Sequence, residues 1–154
     1  LDVSIQAQVL NLLGDLKKRL GLTLVFVTHD LRVVNFFCDR IAVMYMGRLV
    51  ELGTRKQIME ESRHPYTRML LSAAPRDEPG VEIDRPWVKN ELDATAPLGN
   101  ACNFAARCWA RQALGNPERC MTERPEDHPR EDGRVVACHF EEQIPALAAA
   151  ETAR

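Results

Sequence analysis

The sequence predicts an α/β fold for its first part and a small, irregular, cysteine-rich extension for its second. Two observations indicate the α/β part. Apolar residues recur at helical spacing from Ile5 to Leu20, and a short, wholly apolar segment, Leu22–Thr28, follows after one glycine. A helix, a tight turn and a strand buried on both faces are components of a βαβ unit. The extension is indicated by a third observation, since four of the five cysteines lie beyond residue 73.

Composition separates the same two parts. The 154 residues are 45% hydrophobic and carry a net charge of −2, which is typical of a globular protein and excludes collagen-like, coiled-coil and fully disordered chains. No apolar run approaches the roughly 20 residues of a membrane helix. Residues 1–73 sum to +3 and residues 74–154 to −5, and neither part offers the broad basic surface of a nucleic-acid-binding protein. We therefore expect no nucleic acid partner.

The first helix has clear boundary signals. Asp2 is a favourable N-cap, because its carboxylate can accept hydrogen bonds from the free amides of the first turn. Lys17, Lys18 and Arg19 complement the negative end of the helix dipole, and Gly21 can end the helix. The sequence therefore predicts a helix that packs one apolar face against a sheet.

The end of the predicted strand carries the first candidate functional residue, His29. Ligands of parallel sheets bind beyond the carboxyl ends of the strands, and His29 follows Thr28 at that position. The alternative is a histidine that only caps the sheet or the next helix, which is predicted over Leu31–Phe37.

Residues 41–73 predict a hairpin and two helices. Ile41–Met46 and Arg48–Leu52 alternate as strands on either side of Gly47, which can adopt a positive φ. Thr54 is expected to cap a helix that extends to about Glu61, and Pro65 suits the first turn of a helix that ends near Ala73.

The second part divides into a proline-rich linker at residues 74–97, a cysteine-rich segment at 98–141 and a flexible tail at 142–154. The cysteine-rich segment has few apolar groups and needs a covalent or metal staple. Disulfides, four-thiolate zinc and an iron–sulfur cluster are all possible, and the absence of short C-x2-C knuckles counts against zinc. The candidate ligands are spaced C-x5-C-x11-C-x17-C, at Cys102, Cys108, Cys120 and Cys138.

Three segments resemble the C-terminal part of an ABC-transporter ATPase with a P-loop-type fold: Leu1–Gln8, Leu24–Leu31 and Met44–Gly53. His64-Pro65-Tyr66-Thr67, followed by the cysteines, is similar to the ATP-binding subunits of dipeptide and oligopeptide importers. The resemblance divides the chain into an ATPase part at 1–73 and a transporter extension at 98–141.

The resemblance also implies roles. His29 matches the switch histidine that contacts the γ-phosphate of ATP, and Asp2 matches the D-loop aspartate that communicates across an ATPase dimer. The implied cofactors are ATP and Mg²⁺. The implied partners are transmembrane permease subunits, a second ATPase subunit and a separate peptide-binding protein, at the cytoplasmic face of the membrane.

The sequence lacks other parts of such an ATPase. No Gly-x-x-x-x-Gly-Lys-Ser/Thr loop and no Leu-Ser-Gly-Gly-Gln signature occur in it. We therefore expect residues 1–154 alone to have negligible affinity for ATP and no turnover. The alternative is an interaction module without catalysis, stabilised by iron–sulfur or zinc.

In importers with all four cysteines, the extension is associated with a 4Fe–4S cluster. The resemblance therefore implies a cluster on Cys102, Cys108, Cys120 and Cys138, with zinc as the alternative. The gap before Cys120 is longer than the family pattern and contains Gly115-Asn116-Pro117, so Cys120 departs most from that pattern.

Overall fold

The computed structural model describes residues 3–73 and 99–152, with side chains described over 8–73 and 99–150. Asp2 and the predicted linker at 74–97 lie outside the described residues. The chain divides into two compact units, Leu1–Asp39 and Arg40–Arg154. None of the described helices combines the length and apolarity needed to cross a membrane.

The first unit contains the two predicted helices, and both are confirmed. Helix α1 spans Val3–Leu20 and is followed by Gly21, whose φ of +63° is readily adopted by glycine. Helix α2 spans Leu31–Phe37. The Asp30 side chain caps α2 by accepting a hydrogen bond from the Arg32 amide at 2.9 Å.

The predicted strand at Leu22–Thr28 is wrong for this structure. Residues 22–27 belong to no strand, and Val25 and Val27 are 93% and 92% exposed. A parallel strand requires ladder hydrogen bonds from neighbouring strands and apolar cover on both faces. The described residues supply neither to this segment.

The second unit is built on an antiparallel hairpin, which confirms the prediction. Strand β1 spans Arg40–Tyr45 and strand β2 spans Arg48–Thr54. The two residues between them, Met46 and Gly47, have φ values of 46° and 74°. Two consecutive positive φ values are the requirement of a tight hairpin turn, and Gly47 meets that requirement without strain.

A short strand of the cysteine-rich segment completes the sheet. Strand β3, Val135–Val136, pairs antiparallel with β2 and aligns with Leu52 and Glu51, so the order is β1-β2-β3. The Ala137 amide extends the pairing by donating to the Val50 carbonyl at 2.9 Å. The boundary between the compact units lies at residues 39 and 40, so the hairpin belongs to the same unit as Cys102, Cys108, Cys120 and Cys138.

The remaining helices of this unit are short. Helix α3 spans Arg55–Met59, behind a capping box in which Thr54 and Gln57 exchange hydrogen bonds. Helix α4, Pro65–Ala73, confirms the prediction. The cysteine-rich segment contains a 3₁₀ turn, Ala105–Arg107, and two helices, Trp109–Ala113 (α5) and Arg119–Thr122 (α6). Helix α7, Ile144–Thr152, follows that segment.

Helix α7 occupies the segment that was expected to be a flexible tail. Ile144 is fully buried and Ala148 is nearly so, and both pack against Trp109 and Ala110 of α5. The difference has a simple cause, because apolar residues of α7 cover the indole of Trp109, which the sequence places 35 positions away from Ile144. Local sequence patterns carry no signal for such a contact.

Candidate functional site

All four cysteines of the extension line one cavity in the second unit. Each comes from a different element. Cys102 precedes the 3₁₀ turn, Cys108 precedes α5, Cys120 lies in α6 and Cys138 follows β3. The amide of Cys102 donates to the carbonyl of Cys120 at 3.0 Å, which joins two of these elements directly. The fold thus brings together thiols that the sequence spreads over 37 residues.

Backbone amides point at several of the sulfur atoms. Cys108 is the N-cap of α5, and its Sγ accepts a hydrogen bond from the Arg111 amide at 3.4 Å. Further backbone hydrogen bonds reach the thiols of Cys102, Cys108 and Cys138, from Phe104 and Ala105, from Ala110 and from Phe140 respectively. Such N–H···S bonds stabilise negative charge on sulfur and are a usual component of thiolate sites.

The cavity itself disfavours ionised thiols. Burial raises the pKa of Cys108 to about 12, and burial also raises the pKa of Cys102, Cys120 and Cys138. Negative charge on one sulfur raises the pKa of the others, because the cysteines lie close enough to interact. Thiolates in this cavity therefore require a positive group between them.

Arg111 adds a cation to the cavity wall. It lines the cavity together with the four cysteines, and its charge acts on the thiol of Cys120. The Nε atom of Arg111 is buried and has no hydrogen-bond partner among the described residues. Arg111 is the only lysine or arginine among the residues that line the cavity in the described part of the chain.

His64 and Pro65, at the start of α4, form another part of the wall. The His64 ring is fully buried, and its Nδ1 accepts a hydrogen bond from the Tyr66 amide at 3.1 Å. The ring also forms a hydrogen bond with the backbone of Ala137. Burial lowers the pKa of His64 to about 3, so the ring is neutral near pH 7. The Pro65 carbonyl accepts a hydrogen bond from the Trp109 indole at 3.1 Å.

Aromatic packing holds the same wall. Phe104, which is 1% exposed, lies 5.2 Å from Tyr45 and 5.4 Å from Tyr66, measured between ring centroids and with edge-on geometry. Edge-on ring pairs are favourable beyond their apolar burial. Phe104 thereby connects β1, α4 and the loop of Cys102.

A buried carboxylate positions the start of α4. Glu51, in the middle of β2, is fully buried and accepts hydrogen bonds from the amides of Arg63 at 2.7 Å and His64 at 3.2 Å. Burial raises the pKa of Glu51, although these two hydrogen bonds act in the opposite direction. The carboxylate fixes the backbone that carries His64 to the cavity.

The cysteine side chains of the cavity are not arranged as the ligands of a metal ion. Among the side chains described, those of residues 8–73 and 99–150, no group of three or more His, Cys, Asp or Glu is arranged to hold a metal ion. The metal-stabilised extension predicted from the sequence is therefore not shown. The donor set nevertheless fits a thiolate-bound group, because four thiols, backbone donors and one cation surround a single cavity.

Comparison with known proteins gives a consistent result. The family described as "Oligopeptide/dipeptide transporter, C-terminal region" matches residues 50–114. The dipeptide transport ATP-binding protein DppF of Haemophilus influenzae is 43% identical over 138 residues, which are 90% of this chain and 41% of that protein. Residues 50–114 of this chain match the C-terminal region of oligopeptide/dipeptide transporters.

Two further relatives of this transporter family extend the comparison. The probable peptide ABC transporter ATP-binding protein y4tS of Sinorhizobium fredii is 42% identical over 97% of this chain and 40% of its own length. The oligopeptide transport ATP-binding protein OppF of Haemophilus influenzae is 40% identical over 90% of this chain and 41% of its own length. The chain spans about two fifths of the length of these curated relatives.

The transporter-family match includes much of the cavity and its support. Glu51, His64, Cys102, Cys108 and Arg111 all lie within residues 50–114. The sequence analysis did not predict that His64 and Arg111 line the cavity or that Glu51 supports His64. His64 had a usable signal, since His-Pro-Tyr carried the resemblance, whereas the place of Glu51 and Arg111 depends on contacts that no local pattern reveals.

His29, which the sequence predicted to act in ATP hydrolysis, lies in the first compact unit and not in the unit that holds the cysteine cavity. His29 is exposed and stands between Thr28 and Asp30, where the Asp30 amide donates to the Thr28 hydroxyl at 3.0 Å. Asp2 lies outside the described residues. Cys38, for which no role was predicted, is the C-cap of α2, and burial raises its pKa.

Proposed function

We propose that this chain is part of the ATP-binding subunit of an ABC-type importer of dipeptides or oligopeptides. The observation that carries the proposal is its 40–43% identity, over at least 90% of the chain, to proteins named as peptide transport ATP-binding proteins. ATP and Mg²⁺ are the cofactors of this activity. The sequence holds no phosphate loop, so residues 1–154 alone bind ATP negligibly and are inactive.

The exposed segment of the first unit supports an ATPase origin. Residues 22–27 are exposed and almost wholly apolar, which is unfavourable unless a sheet covers them. In an ATPase, neighbouring parallel strands would pair with this segment. His29 would then stand at the carboxyl end of a strand, which is where ligands of parallel sheets bind.

His29 has a defined role in this proposal. Phosphoryl transfer is accelerated chiefly by positioning and by stabilising charge on the transferred group. An imidazole N–H at a strand end can donate to the γ-phosphate and orient the attacking water. Asp2, near the start of α1, would contact the second ATP-binding subunit of a dimer.

The partners follow from the same proposal. Transmembrane permease subunits would receive the movement that ATP binding produces, and a separate binding protein would deliver the peptide. The subunit would lie at the cytoplasmic face of the membrane as a peripheral protein. Nucleic acid has no place in this function.

We also propose that Cys102, Cys108, Cys120 and Cys138 hold a 4Fe–4S cluster, with zinc as the second candidate. Four thiols around one cavity and backbone donors at their sulfur atoms support this assignment. A bound cluster supplies one-electron redox chemistry and cross-links the chain. The protein would contribute four sulfur ligands, the buried apolar side chains of Phe104 and Ile144 in the cavity wall, and N–H groups that favour thiolates.

The test uses the full-length subunit that contains this chain. His29→Ala is expected to abolish ATP hydrolysis and peptide uptake in cells while nucleotide binding is retained. His128→Ala is the matched control, because His128 is an exposed histidine of the second unit. Hydrolysis by His29→Ala at the wild-type rate would reduce His29 to a structural cap. A full-length subunit that neither binds ATP nor restores peptide uptake would refute the whole assignment.

A further inference from the structure

We propose that Arg111 is the charge-compensating residue of the cysteine cavity: its guanidinium offsets the negative charge of the thiolate-bound group, and its Nε–H donates to a sulfur of that group. The inference rests on the proposed metal group. It concerns a side chain that lines the same cavity as the four cysteines.

Helix α5 places Arg111 correctly for this role. Arg111 follows Cys108 by three positions, so both residues lie on the same face of the helix. The Arg111 amide already donates to Cys108 Sγ at 3.4 Å, which fixes the backbone of Arg111 beside that sulfur. The charge of Arg111 also acts on the thiol of Cys120 in α6, as does that of the neighbouring Arg119, which does not line the cavity.

The second observation that supports this role is a buried hydrogen-bond donor of Arg111 that has no acceptor in the described part of the chain. Arg111 Nε is buried and lacks a hydrogen-bond partner among the described residues. Buried donors are normally satisfied, because leaving one unpaired forfeits its hydration without replacement. An anionic sulfur in the cavity would provide the missing acceptor.

The described wall of the cavity holds no second lysine or arginine. Four thiolates around a zinc ion or a 4Fe–4S core retain a net negative charge, which is unfavourable in an apolar cavity. Burial holds the His64 ring neutral near pH 7. Among the lining residues described, Arg111 alone carries a permanent positive charge.

The experiment compares Arg111→Met with a matched control in the full-length subunit. Both proteins and the wild type are reconstituted anaerobically with ferrous iron and sulfide, or in a separate arm with zinc alone. Lys56→Met is the control, because Lys56 is an exposed cation of the same unit that pairs with Glu61 at 3.5 Å and does not line the cavity. The readouts are bound metal, the midpoint potential and the rate of metal loss to a chelator.

Removal of the charge should disfavour the reduced, more negative state. We expect Arg111→Met to shift the one-electron reduction equilibrium about tenfold toward the oxidised form, which is a decrease of about 59 mV in midpoint potential. In the zinc arm, metal loss should be about tenfold faster than in the wild type. Lys56→Met should match the wild type in both arms.

Each outcome separates the two proposals. A wild type that retains neither iron–sulfur nor zinc refutes the metal group and the role of Arg111 together. A loaded wild type with an indistinguishable Arg111→Met variant refutes the role of Arg111 and leaves the metal group standing. If Arg111→Met does not fold, Arg111→Lys and Arg111→Gln decide the question. The lysine should retain the wild-type potential and the glutamine should lose it, and equal potentials would overturn the inference.

Discussion

The carboxylate of Glu51 accepts a hydrogen bond from the His64 amide at 3.2 Å, and both residues are completely or almost completely buried. This contact joins the middle of strand β2 to the residue that immediately precedes helix α4. The same carboxylate accepts from the Arg63 amide at 2.7 Å through its other oxygen. One side chain therefore satisfies two consecutive backbone amides that lie immediately before α4.

Glu51→Gln should destabilise the second unit. The amide nitrogen of glutamine would face one of the two backbone N–H groups, so that one donor would lose its acceptor. We expect the free energy of unfolding to fall by about 1–3 kcal/mol. Urea unfolding of the variant measures this change, and Glu118→Gln, at an exposed position, is the control. Equal midpoints for Glu51→Gln and the wild type would contradict the assigned role.

His64 predicts a specific sensitivity to acid. Its pKa is about 3 in the folded chain, below the value near 6.5 expected for unfolded histidine. The unfolded state therefore binds the proton first, and stability is lost as the pH falls from about 6.5 toward 3. The maximal slope is about 1.4 kcal/mol per pH unit.

Removal of the titrating ring tests this prediction. His64→Gln should lower stability at pH 7 and flatten its decline between pH 6 and pH 4, as measured by urea unfolding at each pH. His128→Gln, at an exposed position, should leave the wild-type slope unchanged. A His64→Gln profile parallel to that of the wild type would show that another group causes the acid sensitivity.

The features predicted successfully are those encoded locally. Helix α1, helix α4 and the hairpin turn at Gly47 follow from apolar periodicity, capping residues and positive φ. The strand at 22–28 failed because a strand is completed by neighbours, which the described chain does not provide. Strand β3 was missed for the converse reason, since only its pairing with β2 makes two consecutive valines a strand. The four cysteines were identified by type, but their common cavity depends on tertiary contacts.

Helix α7 should contribute substantially to stability despite its terminal position. Ile144 is fully buried against α5, and truncation to alanine would leave a cavity beside Trp109. Ile144→Ala is expected to reduce the free energy of unfolding by about 2–5 kcal/mol. The tryptophan fluorescence of the native state should also change, because Trp109 would gain access to water. Gln143→Ala, at the exposed position before it, should change neither quantity, and a stable Ile144→Ala variant would restore the interpretation of this segment as a flexible tail.

Single replacements of the cysteines distinguish a shared metal group from a purely structural cavity. Serine retains the size of cysteine but binds iron and zinc less well, so the Cys102, Cys108, Cys120 and Cys138 variants should each lose bound metal after anaerobic reconstitution. Cys38→Ser is the matched control, since Cys38 is the one cysteine outside the cavity. Visible absorption and iron and zinc assays provide the measurement. Cys120 is the decisive position, because it fits the resemblance drawn from the sequence least well, while the fold places it in the cavity wall. Full metal content in Cys120→Ser, with loss in the other three, would reduce the ligand set to three cysteines.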